Sequence, residues 1–298
     1  MSAPSNPFLA TADFDIADAD LALAAASGSK PALDQLIGHH HQWIYNLALR
    51  FMLNPDDAAD LSQDAMVRII TRIGHFEGRS SFRTWAYRIV LHCFMDAKRG
   101  RLEKAISSFE DYGMELDALP LQPFHPSADT VPERALIIEE AKNGCMLGML
   151  LCLSREQRLI YILGAIFESP SIVAAEILDI SATAFRKQLQ RARTDLHAFM
   201  NDKCGLINKA NPCRCDKKTK AFIDAGWVDP ENIKFADSAL RRIKAHAPDA
   251  ARQLDYLTED RYADLYKGHP VYERSDLASR LEKLLHDKNT QAVFKLND

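Results

Sequence analysis

The chain has 298 residues, of which 47% are hydrophobic and 26% charged, proportions of a soluble globular protein of about two domains, with room for a third small one. A net charge of −4 excludes a uniformly basic nucleic-acid coat but not local basic faces. The chain opens on no basic, then apolar, leader and carries no apolar run long enough to span a bilayer, so a cytoplasmic protein with no membrane partner is expected.

The spacing predicts an all-α protein. Residues 1–30 are Ala-rich and acidic, with Asp13, Asp15, Asp18 and Asp20, and are expected to be disordered. From Ala32 to Met52, Leu33, Leu36, Ile37, Ile44, Leu47 and Phe51 recur at three- and four-residue steps, one face of a helix. Asn54 followed by Pro55 reads as a helix start, with Asp56 and Asp57 suited to the positive end of the dipole. Leu61, Met66, Ile69, Ile70 and Ile73 supply that helix's buried face. A polar loop, Gly74–Ser80, is expected to be mobile. Ser81 then caps a third helix through Phe82, Trp85, Ile89, Cys93 and Ala97, with Trp85 and Phe94 expected in the core.

Four prolines, Pro120, Pro123, Pro126 and Pro132, mark 101–132 as an exposed linker between a first domain at 31–100 and a second at 133–202. In the second, Ser154 with Gln157 resembles a capping box. Ser169-Pro170 starts a short helix ending at Leu178, Asp179-Ile180-Ser181 forms a turn, and a longer helix follows over Ala182–Met200. This is the helix-turn-helix order. A third, mostly helical segment is expected at 203–298, with helices near Ser238–His246, Asp249–Tyr256 and Ser275–Leu285.

Three constellations carry chemistry. On the long helix, Arg186, Lys187, Gln190 and Arg191 share one side, with Arg193 beside them, while Phe185, Leu189, Ala192 and Leu196 occupy the other. Arg and Gln suit base edges in a major groove and Lys suits phosphates; a merely solvated charged face gives the same pattern. Around the loop and third helix, Arg83, Tyr87, Arg88, His92, Lys98 and Arg99 interleave with aromatic residues, a composition suited to unstacked single-stranded bases. Cys204, Cys213 and Cys215 could hold a zinc ion, with His197 or a C-terminal histidine as fourth ligand. Alternatively, Arg214 and the Lys217–Lys220 run could lower a thiol pKa and make a redox switch, and a turn with partly buried free cysteines is the third reading. His39-His40-His41 is expected to be a surface and seam feature, because consecutive helical residues diverge. Cys93, Cys145 and Cys152 read as core. No metalloprotease, P-loop or nucleophile-elbow pattern occurs, so no enzyme is expected.

The run Asn54-Pro-Asp-Asp-Ala-Ala-Asp-Leu-Ser-Gln-Asp, followed by His75-Phe-Glu-Gly-Arg-Ser-Ser-Phe-Arg-Thr-Trp-Ala-Tyr-Arg-Ile, resembles region two of the extracytoplasmic-function sigma factors of RNA polymerase. Leu153-Ser-Arg-Glu-Gln-Arg through Phe185-Arg-Lys-Gln-Leu-Gln-Arg-Ala-Arg-Thr-Asp-Leu is similar to their region four. The resemblance implies that Asp60, Gln63, Asp64 and Arg68 dock on the polymerase. It implies that the loop Phe76–Ser81, with Phe76, Ser80 and Ser81, captures a flipped base of the −10 element. Arg83, Tyr87, Arg88, His92, Lys98 and Arg99 would read and melt that element, and Arg186, Lys187, Gln190, Arg191 and Arg193 would read the −35 element. Core RNA polymerase and promoter DNA are the implied partners, an anti-sigma factor is a candidate third, and zinc is the one candidate cofactor. The family often carries Glu-Ile-Ala and a turn glycine where this chain has Ile172-Val173-Ala174 and Asp179. The extension 203–298 lies beyond the resemblance and is expected to be regulatory. Two other readings stay open: a polymerase-independent helix-turn-helix regulator, and a ligand or metal sensor with a degenerate sigma module.

Overall fold

The computed structural model describes residues 12–52, 54–99, 101–106, 108–124 and 131–233. The three helices expected beyond Ser238 lie outside them. The described residues carry no β-strand and form α1 (Ala12–Ala26), α2 (Lys30–Met52), α3 (Pro55–Arg72), α4 (Phe82–Asp96), α5 (Arg101–Ala105), α6 (Phe109–Ala118), α7 (Val131–Leu151), α8 (Arg155–Tyr161), α9 (Ser171–Leu178), α10 (Ala182–Lys203) and α11 (Cys215–Asp224). A single π-helical turn, Ile162–Ile166, continues α8. No described helix is long and apolar enough to cross a membrane.

The cap chemistry sets several of these boundaries. Asn54 Oδ1 accepts from the backbone N–H groups of Asp56 (2.9 Å) and Asp57 (3.1 Å) at the start of α3. Ser81 Oγ accepts from Thr84 at the start of α4. Ser154 and Gln157 form the reciprocal capping box of α8, at 3.2 and 3.1 Å. Asp179 closes α9 in the left-handed conformation at φ 53°, which Asp tolerates better than most non-glycine residues.

Two compact units result. The first holds the described residues of Met1–Gly100 together with Phe167–Arg186. Its centre is aromatic: Trp43 stacks on Tyr87 at 4.8 Å and Phe51 on Phe94 at 4.6 Å. Arg50 lies 5.3 Å over the Phe167 ring, and α9 packs on α4. The second unit holds the described residues of Arg101–Ile166 and Lys187–Val271. There α11 packs on α7, and Tyr112 stacks on Trp227 and tilts against Phe199.

Two expectations change. The N-terminal stretch is helical over Ala12–Ala26 and contributes Ala22, Ala25 and Asp18 to the buried interior; its alanines are helix formers and its small apolar side fits against α2. The linker is also partly structured. It forms α5 and α6, whose Glu103, Tyr112 and Leu116 are buried, and Gln122 donates its backbone N–H to Lys217 O at 2.9 Å.

His40 is the buried one of the three histidines. Its Nδ1 accepts from Trp43 Nε1 at 2.6 Å and its Nε2 stands 3.1 Å from Asp18 Oδ2. With Nδ1 accepting, the proton of the neutral ring lies on Nε2, on the side of Asp18. Burial, followed by the charges of Arg83 and His39, outweighs Asp18 and holds its pKa below 6.5. Because the unfolded chain binds this proton first, stability falls as pH drops below about 6.5. In the second unit His197, held at about 4 by burial and then Arg193, acts in the same direction. Chemical-denaturation midpoints measured from pH 7.5 to 5 should fall for the wild type and fall less for a His40→Gln, His197→Gln double variant. Equal slopes would show that neither ring titrates as described.

Candidate nucleic-acid interface

Helix α3 buries Leu61, Ala65, Met66, Ile69 and Ile70, which turns Asp60, Gln63, Asp64 and Arg68 outward: Asp60 and Asp64 are exposed, Gln63 and Arg68 half-buried. Arg68 Nη1 bonds Asp96 Oδ2 on α4 at 3.1 Å. The face is strongly acidic: burial, then the charges of Asp60 and Asp56, hold the Asp57 carboxyl above its usual range.

The loop before α4 is anchored. Phe76 is buried, its N–H bonds Ile73 O at 2.9 Å, and its ring meets those of Phe82 and Trp85, each at 5.7 Å. Gly78, at φ 70°, then turns the chain. Exposed Glu77 and Arg79 pair across the tip. Ser80 and Ser81 are half-buried.

Three of the nine −10 candidates are corrected by burial. Phe76 fills the interior beneath its own loop. Arg83 is 6% exposed and faces buried Asp18, with Nε 3.6 Å from Oδ2; desolvating a guanidinium demands such a counter-charge. Tyr87 is 0% exposed, stacked on Trp43. These side chains fill the interior of the domain. Trp85, expected in the core, is half-buried, whereas Phe94 is core as expected. Of the remaining six, His92, Lys98 and Arg99 are exposed on α4 and just after it.

Arg88 is bound elsewhere. Its Nε and Nη2 donate to Glu176 O on α9 at 3.1 and 2.9 Å, and Nη2 also meets Glu176 Oε1 at 3.0 Å. The fork thus covers both the carboxylate and a carbonyl of the last turn of α9, a position favourable for a cation.

Helix α10 buries Phe185, Ala192, Leu196 and Met200 and exposes Arg186, Lys187, Gln190 and Arg191, with Arg193 half-buried. Arg186 makes only long bonds, to Ser171 Oγ and Thr183 Oγ1, each at 3.3 Å. Ile172, at the departure from Glu-Ile-Ala, is 74% exposed.

The cysteine-rich segment folds back on itself. Asn211 Nδ2 donates to Cys204 O and Asn201 O, and Arg214 spans Asn211 O, Cys213 O and Lys209 O at 2.6, 2.7 and 2.9 Å. His197, weighed as a zinc ligand, packs against the Tyr161 ring. Burial first, and then nearby Cys215, push the Cys145 thiol on α7 well above its ordinary range. Only the folded contact of α7 with α11 could reveal this. Among the described residues, no three His, Cys, Asp or Glu side chains converge as a bound metal would hold them.

The family described as sigma-70 region 2 matches residues 36–103. The chain is 30% identical over 187 residues to the RNA polymerase sigma factor CnrH of Cupriavidus metallidurans, covering 62% of this chain and 95% of that one. It is 26% identical over 175 residues to the ECF RNA polymerase sigma factor SigW of Bacillus subtilis, covering 59% of this chain and 92% of that one. The solved structure of CnrH in complex with the cytosolic domain of CnrY has a TM-score of 0.44 at 25% identity, covering 62% of this chain and 98% of that chain.

Proposed function

The chain belongs to the extracytoplasmic-function sigma factors of RNA polymerase, and from that membership we propose that it binds core polymerase and directs initiation at promoters with −10 and −35 elements. The observation that carries the reading is the exposed quartet Arg186, Lys187, Gln190 and Arg191 on a helix whose other side is buried, behind the turn at Asp179. Such a helix can lay guanidinium forks and an amide against major-groove base edges.

Asp60, Gln63, Asp64 and Arg68 on α3 are the polymerase-docking side chains in this reading. The loop residues Ser80 and Ser81 with Arg88, His92, Lys98 and Arg99 contact the −10 strand, by phosphate neutralisation and hydrogen bonding. Melting requires no chemistry from the protein: holding the extruded strand offsets unstacking of a few kcal/mol. An anti-sigma factor would act by covering either surface, and the extension after Lys203 would regulate access in cis.

Run-off transcription with purified core polymerase and a pool of genomic promoter fragments tests the proposal. Discrete transcripts that require this protein are expected. Binding to duplex DNA with no transcript and no co-purifying polymerase would replace it with a polymerase-independent regulator.

Arg88 supplies a second test. Since Glu176 holds it, reading the −10 strand requires exchanging that partner. An exposed pair of this kind contributes up to about 1 kcal/mol, so Glu176→Ala should tighten binding of a single-stranded −10 oligonucleotide by up to about five-fold, whereas Arg88→Ala should weaken it. Unchanged binding in both variants would remove Arg88 from the interface.

A further inference from the structure

A groove of about 570 Å³ runs between α6 and α10 in the second unit. Its floor is apolar, with Phe109 and Met114 of α6 facing Phe199 of α10. Gly113 keeps the two helices close: a Cβ there would stand 3.2 Å from Phe199 Cε2 and 3.3 Å from Lys203 Cε. Both rims are acidic, with Glu110 and Asp117 on α6 and Asp195 and Asp202 on α10, all exposed. Lys203 is the one cation lining the groove, and it already meets Asp117 at 2.6 Å and Asp202 at 3.3 Å. Met114 is 59% exposed, so the described residues leave this apolar floor uncovered.

We propose that this groove seats the segment Ser238–His246 of the chain's own extension, laid in as a helix. Charge selects it. Of the three helices expected beyond the described residues, Ser238–His246 carries Arg241, Arg242 and Lys244 and no acid, whereas Asp249–Tyr256 and Ser275–Leu285 carry two acidic residues each. Shape agrees: Leu240 and Ile243, with Ala236 and Ala247 a turn to either side, make one narrow apolar stripe of a helix, flanked by Arg241 and Lys244. Such a stripe covers Met114 and Phe199 while its flanking cations meet the rim carboxylates. Reach agrees as well. Trp227 stacks on Tyr112 at 6.1 Å, Tyr112 meets Phe199 at 6.0 Å and Phe199 meets Phe109 at 5.1 Å, a row of rings from the end of the described chain to the groove floor. Asn232 N donates to Asp229 O at 3.2 Å, a turn that keeps the exit near Trp227. The five residues from Ile233 to Ser238 then add up to about 17 Å. A separate partner would have to supply the same pattern at its own concentration, whereas a segment on so short a tether acts at an effective concentration on the order of millimolar.

The test uses the full-length protein without polymerase or promoter, so it stands apart from the sigma reading. Oxidation of methionines by hydrogen peroxide, followed by peptide mass spectrometry, reads the groove through Met114. Met95 on α4, 39% exposed, is the reference. A filled groove makes Met114 oxidise more slowly than Met95, the reverse of the order their exposures give. Arg241→Glu with Lys244→Glu removes two rim pairs, each worth up to about five-fold. That variant should restore the exposure order and speed amide exchange over 238–246 about ten-fold. Adding Glu110→Lys and Asp195→Lys returns the pairing with its signs exchanged, and Met114 should slow again. All four substitutions leave the buried residues untouched, and an unchanged circular dichroism spectrum checks the fold. Met114 oxidising faster than Met95 in the wild type would overturn the proposal, as would a wild-type rate for Met114 in the Arg241→Glu, Lys244→Glu variant or the absence of rescue. Protection of Met114 that falls on dilution would put a second copy in the groove and overturn it too.

Discussion

Alanine at both Arg186 and Arg191 should abolish promoter-specific transcription while leaving the fold and the polymerase complex in place. Both side chains are exposed on α10, where substitution rarely changes stability by more than about 0.5 kcal/mol. Arg186 gives up only two bonds of 3.3 Å, at the long limit for a hydrogen bond. Each guanidinium that reads a base bidentately is worth about 1–3 kcal/mol of discrimination. The double variant should therefore lose between about thirty-fold and twenty-thousand-fold in preference for its own −35 sequence over a scrambled one. Lys187→Ala is the control, because a phosphate contact carries no sequence information. It should weaken binding about equally on both sequences and lower the salt slope by about one. If the double variant weakened both sequences equally, the two arginines would be phosphate contacts only. Sequence reading would then have to come from other groups.

Local signals were legible in the sequence and distant pairings were not. Asn54, Ser81 and Ser154 announced their helices because a cap is a contact between near neighbours, and each makes the expected bond. The exposed quartet on α10 followed from helical spacing alone. Arg83 and Tyr87 looked like nucleic-acid contacts by composition, yet Arg83 is neutralised by Asp18 from a helix expected to be disordered, and Tyr87 is stacked on Trp43. Neither partner is near in sequence. The Ala-rich stretch of α1 was misjudged because it lacks large apolar side chains; its Ala22 and Ala25 are buried nonetheless. Phe76 sits in a loop of polar neighbours, and only the rings of Phe82 and Trp85 explain its burial. Cys145 has no motif around it, and its nearness to Cys215 depends on how α11 meets α7.

The second unit depends on a charge arrangement that makes an asymmetric prediction. Glu103 on α5 accepts from Arg155 Nε at 2.8 Å and Nη2 at 2.6 Å, and from Arg158 Nη2 at 3.3 Å. Arg158 is 1% exposed and also donates to the carbonyls of Leu150 and Leu153. Burial, opposed by Glu103 and reinforced by the Arg155 charge, lowers its pKa to about 10. At neutral pH it is therefore still a cation, and the carboxylate lies between two buried guanidinium groups. Glu103→Ala leaves those like charges facing each other in a low-dielectric interior, and should destabilise the unit by about 3–5 kcal/mol. Arg155→Ala removes both bonds of that pair yet leaves Glu103 opposite Arg158, so it should cost less. Adding Arg155→Ala to Glu103→Ala should recover part of the loss, because it removes one of the repelling charges. Urea unfolding of the three variants, followed by far-ultraviolet circular dichroism at neutral pH, measures the order. Were Arg155→Ala as costly as Glu103→Ala, packing of the long side chain would outweigh charge balance, and α5 would be held by contact area more than by its carboxylate.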